Sequence, residues 1–140
     1  MIVAIRISGQ VGLDKKIVET LNRLCLRKKY SCIVFPNNSI WGGMVKKVKD
    51  FVAYGNITEE TFVKLIESRG KKIISSKKID AKQIWKDIEA GKKYEELNLK
   101  PVFHLHPPRK GIDSKKHFGI KKGVLGDNKE KINDLILRML

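Results

Sequence analysis

The sequence is poor in acidic residues and cysteine, and it contains no long apolar segment. Its 140 residues include 15 Asp and Glu against 30 Lys and Arg, which gives a formal net charge of +15. The two cysteines, Cys25 and Cys32, show no metal-ligand spacing, so neither a zinc ribbon nor a disulfide scaffold is predicted and we expect a reducing, cytoplasmic compartment. No apolar run approaches the roughly 18 residues of a membrane span, so no membrane partner is expected.

The chain nevertheless has enough apolar residues to fold. Hydrophobic residues make up 41% of it, which excludes a wholly disordered basic tail and fits about one domain. The positive charge lies at both ends, with a net +7 in residues 1–56, +2 in 57–99 and +6 in 100–140. This distribution predicts two contacts with one large polyanion, most often nucleic acid. General solubility is the alternative explanation, although acidic residues serve solubility better than lysines do.

The hydrophobic pattern predicts the order β-α-β-α-β within residues 1–56. Three short runs rich in β-branched and aromatic residues predict strands, and two apolar stripes at helical spacing predict the helices between them. Asp14 is the expected N-cap of the first helix, and Cys25 falls in its buried stripe. Gly42 and Gly43 fall within the second helix, where each costs about 1 kcal/mol. They predict either a late helix start or the close approach of another backbone.

Residues 57–140 are predicted to be more helical than residues 1–56. Thr58 and Asp80 are candidate N-caps, Gly70 and Gly91 are candidate helix ends, and a last helix is expected from about Asn128. Residues 107–127 are expected to form a loop, because six Lys and Arg residues and four glycines stand there with little apolar content. We therefore expect an α+β fold: a core domain over 1–56, and over 57–140 a helical extension whose basic loop and last helix pack back on the core.

Three segments carry groups that suit RNA. Residues 8–12 join a strand to a helix start, where free N–H groups and glycines accommodate phosphate. Residues 37–44 combine amide side chains, Trp41 and bare glycine backbone, and the lysine-rich residues 107–122 follow two prolines. The alternatives are a plain tight turn, a helix entrance with a half-buried tryptophan, and a mobile loop without RNA contacts.

Two functions other than ribosomal RNA binding stay open. One is an RNA-binding module outside the ribosome. The other is a small enzyme acting on a phosphate-bearing substrate, with residues 8–12 as the anion cradle and Lys15 or Arg6 as the charge stabiliser. No recognisable motif supplies a general base for such an enzyme. His104 and His106 alternate on a predicted strand without a nearby third ligand, so no metal and no cofactor are expected.

The residues also resemble a known family, the large-subunit ribosomal protein numbered thirty in bacteria and archaea and seven in eukaryotes, in its archaeal form. The resemblance covers nearly the whole chain and rests on four segments. These are IVAIRISGQVGL, LNRLCLRKKYSCIVFPNNSIWGGMVKKVKDFVAYG, ITEETFVKLIESRGKK and the ending FHLHPPRKGI…GVLGDNKEKINDLILRML. The YG that closes the third strand and the PPRKG turn are the more specific marks. Residues 71–100 depart from the family in being shorter and richer in lysine.

The resemblance implies a fold, a function and a set of contacts. It implies a β-α-β-α-β core with a three-stranded antiparallel sheet, similar to the ferredoxin-like fold, and a C-terminal extension. It implies a structural, non-catalytic ribosomal protein that binds large-subunit ribosomal RNA, lies close to the 5S RNA and contacts neighbouring ribosomal proteins. The RNA-binding residues that follow from it are Arg6, Ser8, Gly9, Gln10, Gly12, Arg27, Lys28, Lys29, Asn37, Asn38, Ser39, Trp41, Gly42, Gly43, Lys46, Lys47, Arg109, Lys110, Lys115, Lys116, His117, Lys121 and Lys122.

Overall fold

The fold is described from a computed structural model of residues 1–140 and combines six strands with five helices. In chain order the elements are β1 (Ile2–Arg6), α1 (Lys15–Arg23), β2 (Ser31–Phe35), α2 (Ser39–Lys47), β3 (Val52–Asn56), α3 (Glu59–Arg69), α4 (Ala81–Glu89), β4 (Phe103–His104), β5 (Ser114–His117), β6 (Gly123–Asp127), a 3₁₀ turn (Lys129–Lys131) and α5 (Ile132–Met139). The predicted α+β class is confirmed. No helix has the combination of length and apolar character that a membrane crossing requires.

All six strands belong to one sheet, in the order β4-β2-β1-β3-β6-β5. The central strand β1 pairs antiparallel with both β2 and β3, as the resemblance implies. The sheet is wider than three strands, because β4 adds antiparallel to β2 and β6 adds parallel to β3. Strands of the C-terminal segment therefore extend both sides of the N-terminal sheet.

Both faces of the central strand are buried. Val3 and Ile5 point into a cluster that also contains residues of α3, α4 and α5. Ala4 points the other way, into a cluster formed with α1 and α2. Side chains alternate between the two faces of a strand, so the two sets of helices cover opposite faces of the sheet. The larger cluster combines residues from before and after residue 56, and the division into domains 1–56 and 57–140 stays a prediction.

Side-chain caps confirm the predicted starts of α1, α3 and α4, and a cap also begins α2. Asn38 Oδ1 accepts from the backbone N–H of Trp41 at 2.9 Å, and Thr58 Oγ1 accepts from Thr61 at 3.4 Å. Asp14 and Asp80 cap α1 and α4 in the same way. Each cap satisfies a backbone donor that the first helical turn leaves without a partner. The last helix, expected from about Asn128, instead begins at Ile132 after the 3₁₀ turn and has no side-chain cap.

Two predictions about local structure are wrong. Residues 107–127 do not form a loop throughout, because β6 pairs with β3 and Leu125 is buried in the core. The short apolar stretch of β6 is flanked by glycines and lysines, which hide the strand pattern. Cys25 is not part of the helical stripe: α1 ends at Arg23, and Cys25 follows with a φ of +58° in a half-buried turn.

Candidate nucleic-acid interface

Strand pairing gathers several predicted RNA-binding segments at one end of the sheet. Because β1 runs antiparallel to β2 and β3, the end of β1 lies beside the beginnings of both neighbours. Residues 8–12 follow β1, residues 27–29 precede β2, and Lys47 stands in the last turn of α2, shortly before β3. Lys46 of the same turn borders a groove beside Gly42 and Gly43 instead. We call this end of the sheet, with residues 8–12, 27–29 and Lys47, the basic edge.

A buried arginine holds two parts of the basic edge together. Arg6 Nη1 donates to the carbonyl oxygens of Leu26 at 2.8 Å and Arg27 at 2.7 Å. Its Nε and Nη2 donate to the carbonyls of Ser8 at 3.0 Å and Gly9 at 3.2 Å. Burial also lowers the pKa of the guanidinium from its ordinary value.

The direct RNA contact predicted for Arg6 is therefore corrected. The residue is 1% exposed, and all three of its guanidinium nitrogens donate to carbonyl oxygens. It positions the loop after β1 against the corner before β2. The same bonds remove Arg6 as the charge stabiliser of the alternative enzyme.

The Lys and Arg residues of the basic edge are exposed and carry no acidic partner. The chain forms two ion pairs, Arg23 with Glu19 and Lys92 with Asp87, and His117 contacts Asp50. None of these includes Arg27, Lys28 or Lys29, which are all exposed. Unpaired cations on a fixed backbone are suited to phosphate, because no intramolecular ion pair has to break first.

The loop over residues 8–12 offers backbone rather than a helix N-terminus. Val11 is fully exposed, and no atom of the chain lies within 4 Å of the position that a Cβ would take at Gly9 or Gly12. The first turn of α1, however, is occupied by the carboxylate of Asp14, which accepts from the N–H of Lys16 at 3.4 Å. A carboxylate there opposes phosphate and disfavours these helical N–H groups as an anion site, and the RNA contact of residues 8–12 stays a prediction for the exposed loop backbone.

Residues 37–43 lie at the opposite end of the sheet, where β2 ends and α2 begins. Trp41 is half-buried and stacks on Phe35, with ring centroids 5.2 Å apart and an interplanar angle of 22°. This arrangement matches the alternative of a half-buried tryptophan at a helix entrance. Asn37 and Ser39 remain exposed beside it.

The two glycines of α2 lie beside an open groove. Gly42 and Gly43 are both within the helix, which contradicts the late helix start, and no part of this chain lies within 4 Å of a Cβ at either position. The groove measures about 420 Å³, and Tyr54 and Lys46 contribute to its wall. The bare helix surface is therefore open to a molecule from outside the chain.

The C-terminal basic residues are tied to the rest of the fold at two points. The backbone N–H of Arg109 donates to the carbonyl of Arg138 at 2.9 Å, and Arg138 Nε donates back to the carbonyl of Arg109 at 3.1 Å. His117 Nε2 lies 2.8 Å from Asp50 Oδ1, so one ring nitrogen of this predicted RNA-binding residue contacts a carboxylate of the chain itself. The basic side chains around these ties, Arg109, Lys110, Lys115, Lys116, Lys121 and Lys122, are exposed.

Two residues close to the basic edge, His104 and Lys71, were not predicted from the sequence to lie there. His104 pairs across the sheet with Ser31, next to the corner that contains Lys28. Burial, and then the positive charges of Lys71 and Lys28, hold the pKa of His104 below its ordinary value. The chain contains no group of three or more His, Cys, Asp or Glu residues able to hold a metal. The lysine-rich composition after α3 was the available signal for Lys71.

Comparison with known proteins identifies the family. A family model described as ribosomal protein L30p/L7e matches residues 2–52. Large ribosomal subunit protein uL30 of Methanococcus maripaludis strain C5 is 39% identical, with 97% of each chain covered. The protein of the same name from Archaeoglobus fulgidus is 39% identical over 99% of each chain, and that from Methanosphaera stadtmanae is 32% identical over 100%. The chain belongs to the ribosomal protein L30p/L7e family.

Membership of the L30p/L7e family confirms the resemblance inferred from the sequence. The family model matches the segment from β1 to the beginning of β3. The archaeal relatives align over nearly the whole chain, so their similarity includes the C-terminal segment as well. This L30p/L7e member therefore shares its C-terminal extension with its archaeal relatives.

Proposed function

We propose that this chain is a structural constituent of the large ribosomal subunit and binds ribosomal RNA through the basic edge and the entrance of α2. The observation that carries the proposal is the row of exposed, unpaired cations beside the corner that Arg6 holds through the carbonyls of Leu26 and Arg27. The printed name of the archaeal relatives, large ribosomal subunit protein, supports the same assignment.

Binding on this proposal is electrostatic attachment followed by recognition of backbone shape. Lysine and arginine side chains bind phosphates and release condensed counterions, while exposed loop backbone and bare helix surface set the register. No bond is made or broken in this role. The buried guanidinium contributes by holding the surface in one geometry before the RNA arrives, which reduces the ordering cost of binding.

The basic corner is tested by replacing Arg27, Lys28 and Lys29 together with alanine. We expect weaker binding to extracted large-subunit ribosomal RNA, and a plot of log affinity against log salt concentration that is flatter by about 2–3 units, since each lost phosphate contact removes about 0.7–0.9. Filter binding at several salt concentrations measures both quantities.

The matched control for the corner is K64A/K82A/K86A, which removes the same charge from exposed positions on α3 and α4. We expect its salt slope to stay close to that of the unaltered protein. If the salt slopes of the two triple variants are equal, residues 27–29 do not bind RNA phosphates. Recovery of the chain with large subunits after a salt wash, rather than in the soluble fraction of a lysate, separates a ribosomal role from that of a free RNA-binding module.

The glycines of α2 are tested by Gly43→Ala, which should change stability and RNA affinity in opposite directions. Alanine is about 0.5–1 kcal/mol more favourable than glycine within a helix, and a Cβ at this position meets nothing in the chain. We therefore expect a higher free energy of unfolding and an RNA affinity about tenfold lower. Ser68→Ala, at an exposed position of α3, is the control. Unchanged RNA affinity in Gly43→Ala would show that no RNA backbone approaches α2.

We also propose that the chain lies close to the 5S RNA and touches neighbouring ribosomal proteins, in ribosomes of the cytoplasm. This finer placement rests on the resemblance of the chain to the family. Crosslinking within purified large subunits tests it directly. Crosslinks to 5S RNA are expected, and a map confined to the large ribosomal RNA would contradict the placement.

A further inference from the structure

The connection between α3 and α4 is an exposed basic segment with two apolar side chains at its surface. Residues 71–78 contain four lysines, two serines and two isoleucines, and no acidic residue stands between Glu67 and Asp80. Ile73 and Ile74 are 48% and 50% exposed. None of the RNA contacts predicted from the sequence falls in this segment.

The first half of this segment is held in a defined shape by one buried asparagine. Asn98 Oδ1 accepts from the N–H of Ile74 at 2.6 Å, and Asn98 Nδ2 donates to the carbonyl of Ile74 at 2.9 Å. The carbonyl of Asn98 accepts from Ile73 at 3.1 Å, and Lys100 N donates to the carbonyl of Lys71 at 2.9 Å. Asn98 is 8% exposed with a φ of +58°, so this pairing is part of the folded structure.

The fixed backbone presents an apolar tip between two pairs of cations. Lys71 and Lys72 precede the isoleucines, Lys77 and Lys78 follow them, and the ion pairs of the chain include none of these lysines. Adjacent exposed isoleucines leave apolar surface in water, which a partner can cover. Unpaired lysines on both sides select a polyanion as that partner.

The segment is also continuous with the basic edge. Ser31 N donates to the carbonyl of Lys28 at 3.2 Å, and Ser31 pairs with His104 of β4. The carbonyl of Lys71 accepts from Lys100, four residues before His104, so the segment begins close to the same part of β4. An RNA that lies along the corner at residues 27–29 can therefore also contact the beginning of the segment. We propose that residues 71–78 form a second RNA-binding surface, whose lysines bind phosphates while Ile73 and Ile74 pack on an unstacked base or a ribose.

This inference rests on the proposed function, and its experiment keeps the two apart. Extracted large-subunit ribosomal RNA is the probe, and the unaltered protein is measured first. The variants K71A/K72A and K77A/K78A are each expected to lower the magnitude of the salt slope by about 1.4–1.8, the effect of two lost phosphate contacts. The control K64A/K86A removes the same charge from α3 and α4 and is expected to keep the slope.

The apolar tip is tested separately by I73S/I74S, which leaves the charge unchanged. We expect an RNA affinity about tenfold lower at an unchanged salt slope. The side chains replaced in I73S/I74S and in the lysine variants are all exposed. We therefore expect their thermal unfolding midpoints to match that of the unaltered protein, which would show that RNA binding and not folding has changed.

Each outcome bears on one of the two proposals. If the unaltered protein does not bind the RNA, the proposed function fails and this inference fails with it. If the unaltered protein binds and all three segment variants bind equally well, the inference is overturned while the proposed function stands. If RNA affinity is unchanged but rebinding to large subunits depleted of this protein falls, the segment contacts a ribosomal protein, and the RNA proposal is likewise overturned.

Discussion

Replacing Arg6 with methionine is expected to lower the free energy of unfolding by about 3–4 kcal/mol, because it removes four hydrogen bonds and leaves carbonyl oxygens without donors inside the fold. Methionine has a similar length and keeps the strand apolar, so the loss measures the guanidinium rather than a cavity. Urea unfolding followed by the fluorescence of Trp41 and Trp85 gives the free energy. RNA affinity should fall as well, since the backbone at Ser8 and Arg27 is no longer fixed.

Two further variants separate the geometry of Arg6 from its charge. Arg6→Lys keeps the charge but offers one compact donor group in place of the planar fork, so we expect it to recover only part of the lost stability. Arg23→Ala removes an exposed arginine whose pair with Glu19 is a surface i,i+4 contact, and should cost no more than about 0.5 kcal/mol. A loss of stability below about 1 kcal/mol in Arg6→Met would mean that water replaces the guanidinium, and that the four hydrogen bonds of Arg6 are not needed for stability.

Gly55→Ala is the second change with a large expected effect, about 2–4 kcal/mol of lost stability. Gly55 is buried in β3, where a Cβ would overlap the carbonyl oxygen of Lys129 and lie 3.0 Å from Ile132 Cγ2. The overlapping atom belongs to the backbone, so a side-chain rotation cannot relieve the contact. The 3₁₀ turn and the start of α5 would have to move away from the sheet.

The measurement for Gly55→Ala is again urea unfolding, with Gly9→Ala as the matched control. Gly9 is exposed and has no neighbour within 4 Å of a Cβ, so its replacement should leave stability nearly unchanged. Equal unfolding midpoints for the two variants would show that α5 does not need its close approach to β3. The close approach of Lys129 also gives the glycine of the YG mark a structural role in this chain, since that glycine is Gly55.

Local signals were sufficient to predict where α1 to α4 begin. Asp14, Asn38, Thr58 and Asp80 each precede an apolar stripe, and in the structure each accepts from a backbone N–H of the first turn. A cap and its helix are neighbours in sequence, so the pattern contains both partners of the interaction. The same holds for the close of α3, where Gly70 follows a basic last turn.

The strands after residue 100 were not predictable in the same way. β6 exists because Ala53 and Tyr54 of β3 pair with Gly126 and Asp127, more than 70 residues later. Glycine and lysine around this strand produce a local pattern typical of a loop, and only the distant partner overrides it. Residues 71–78 likewise owe their shape to Asn98, which no local pattern connects to them.

The sequence by itself determined the surplus of positive charge, the order of the first five elements and the positions at which most helices begin. Its alternation also showed that Ile2, Ala4 and Arg6 share one face of the first strand. Only the tertiary structure decided that this face is covered, because α1 and α2 pack over it and their side chains come from other parts of the chain. An arginine on a covered face cannot reach solvent, and Arg6 therefore binds carbonyl oxygens where the pattern alone had suggested phosphate.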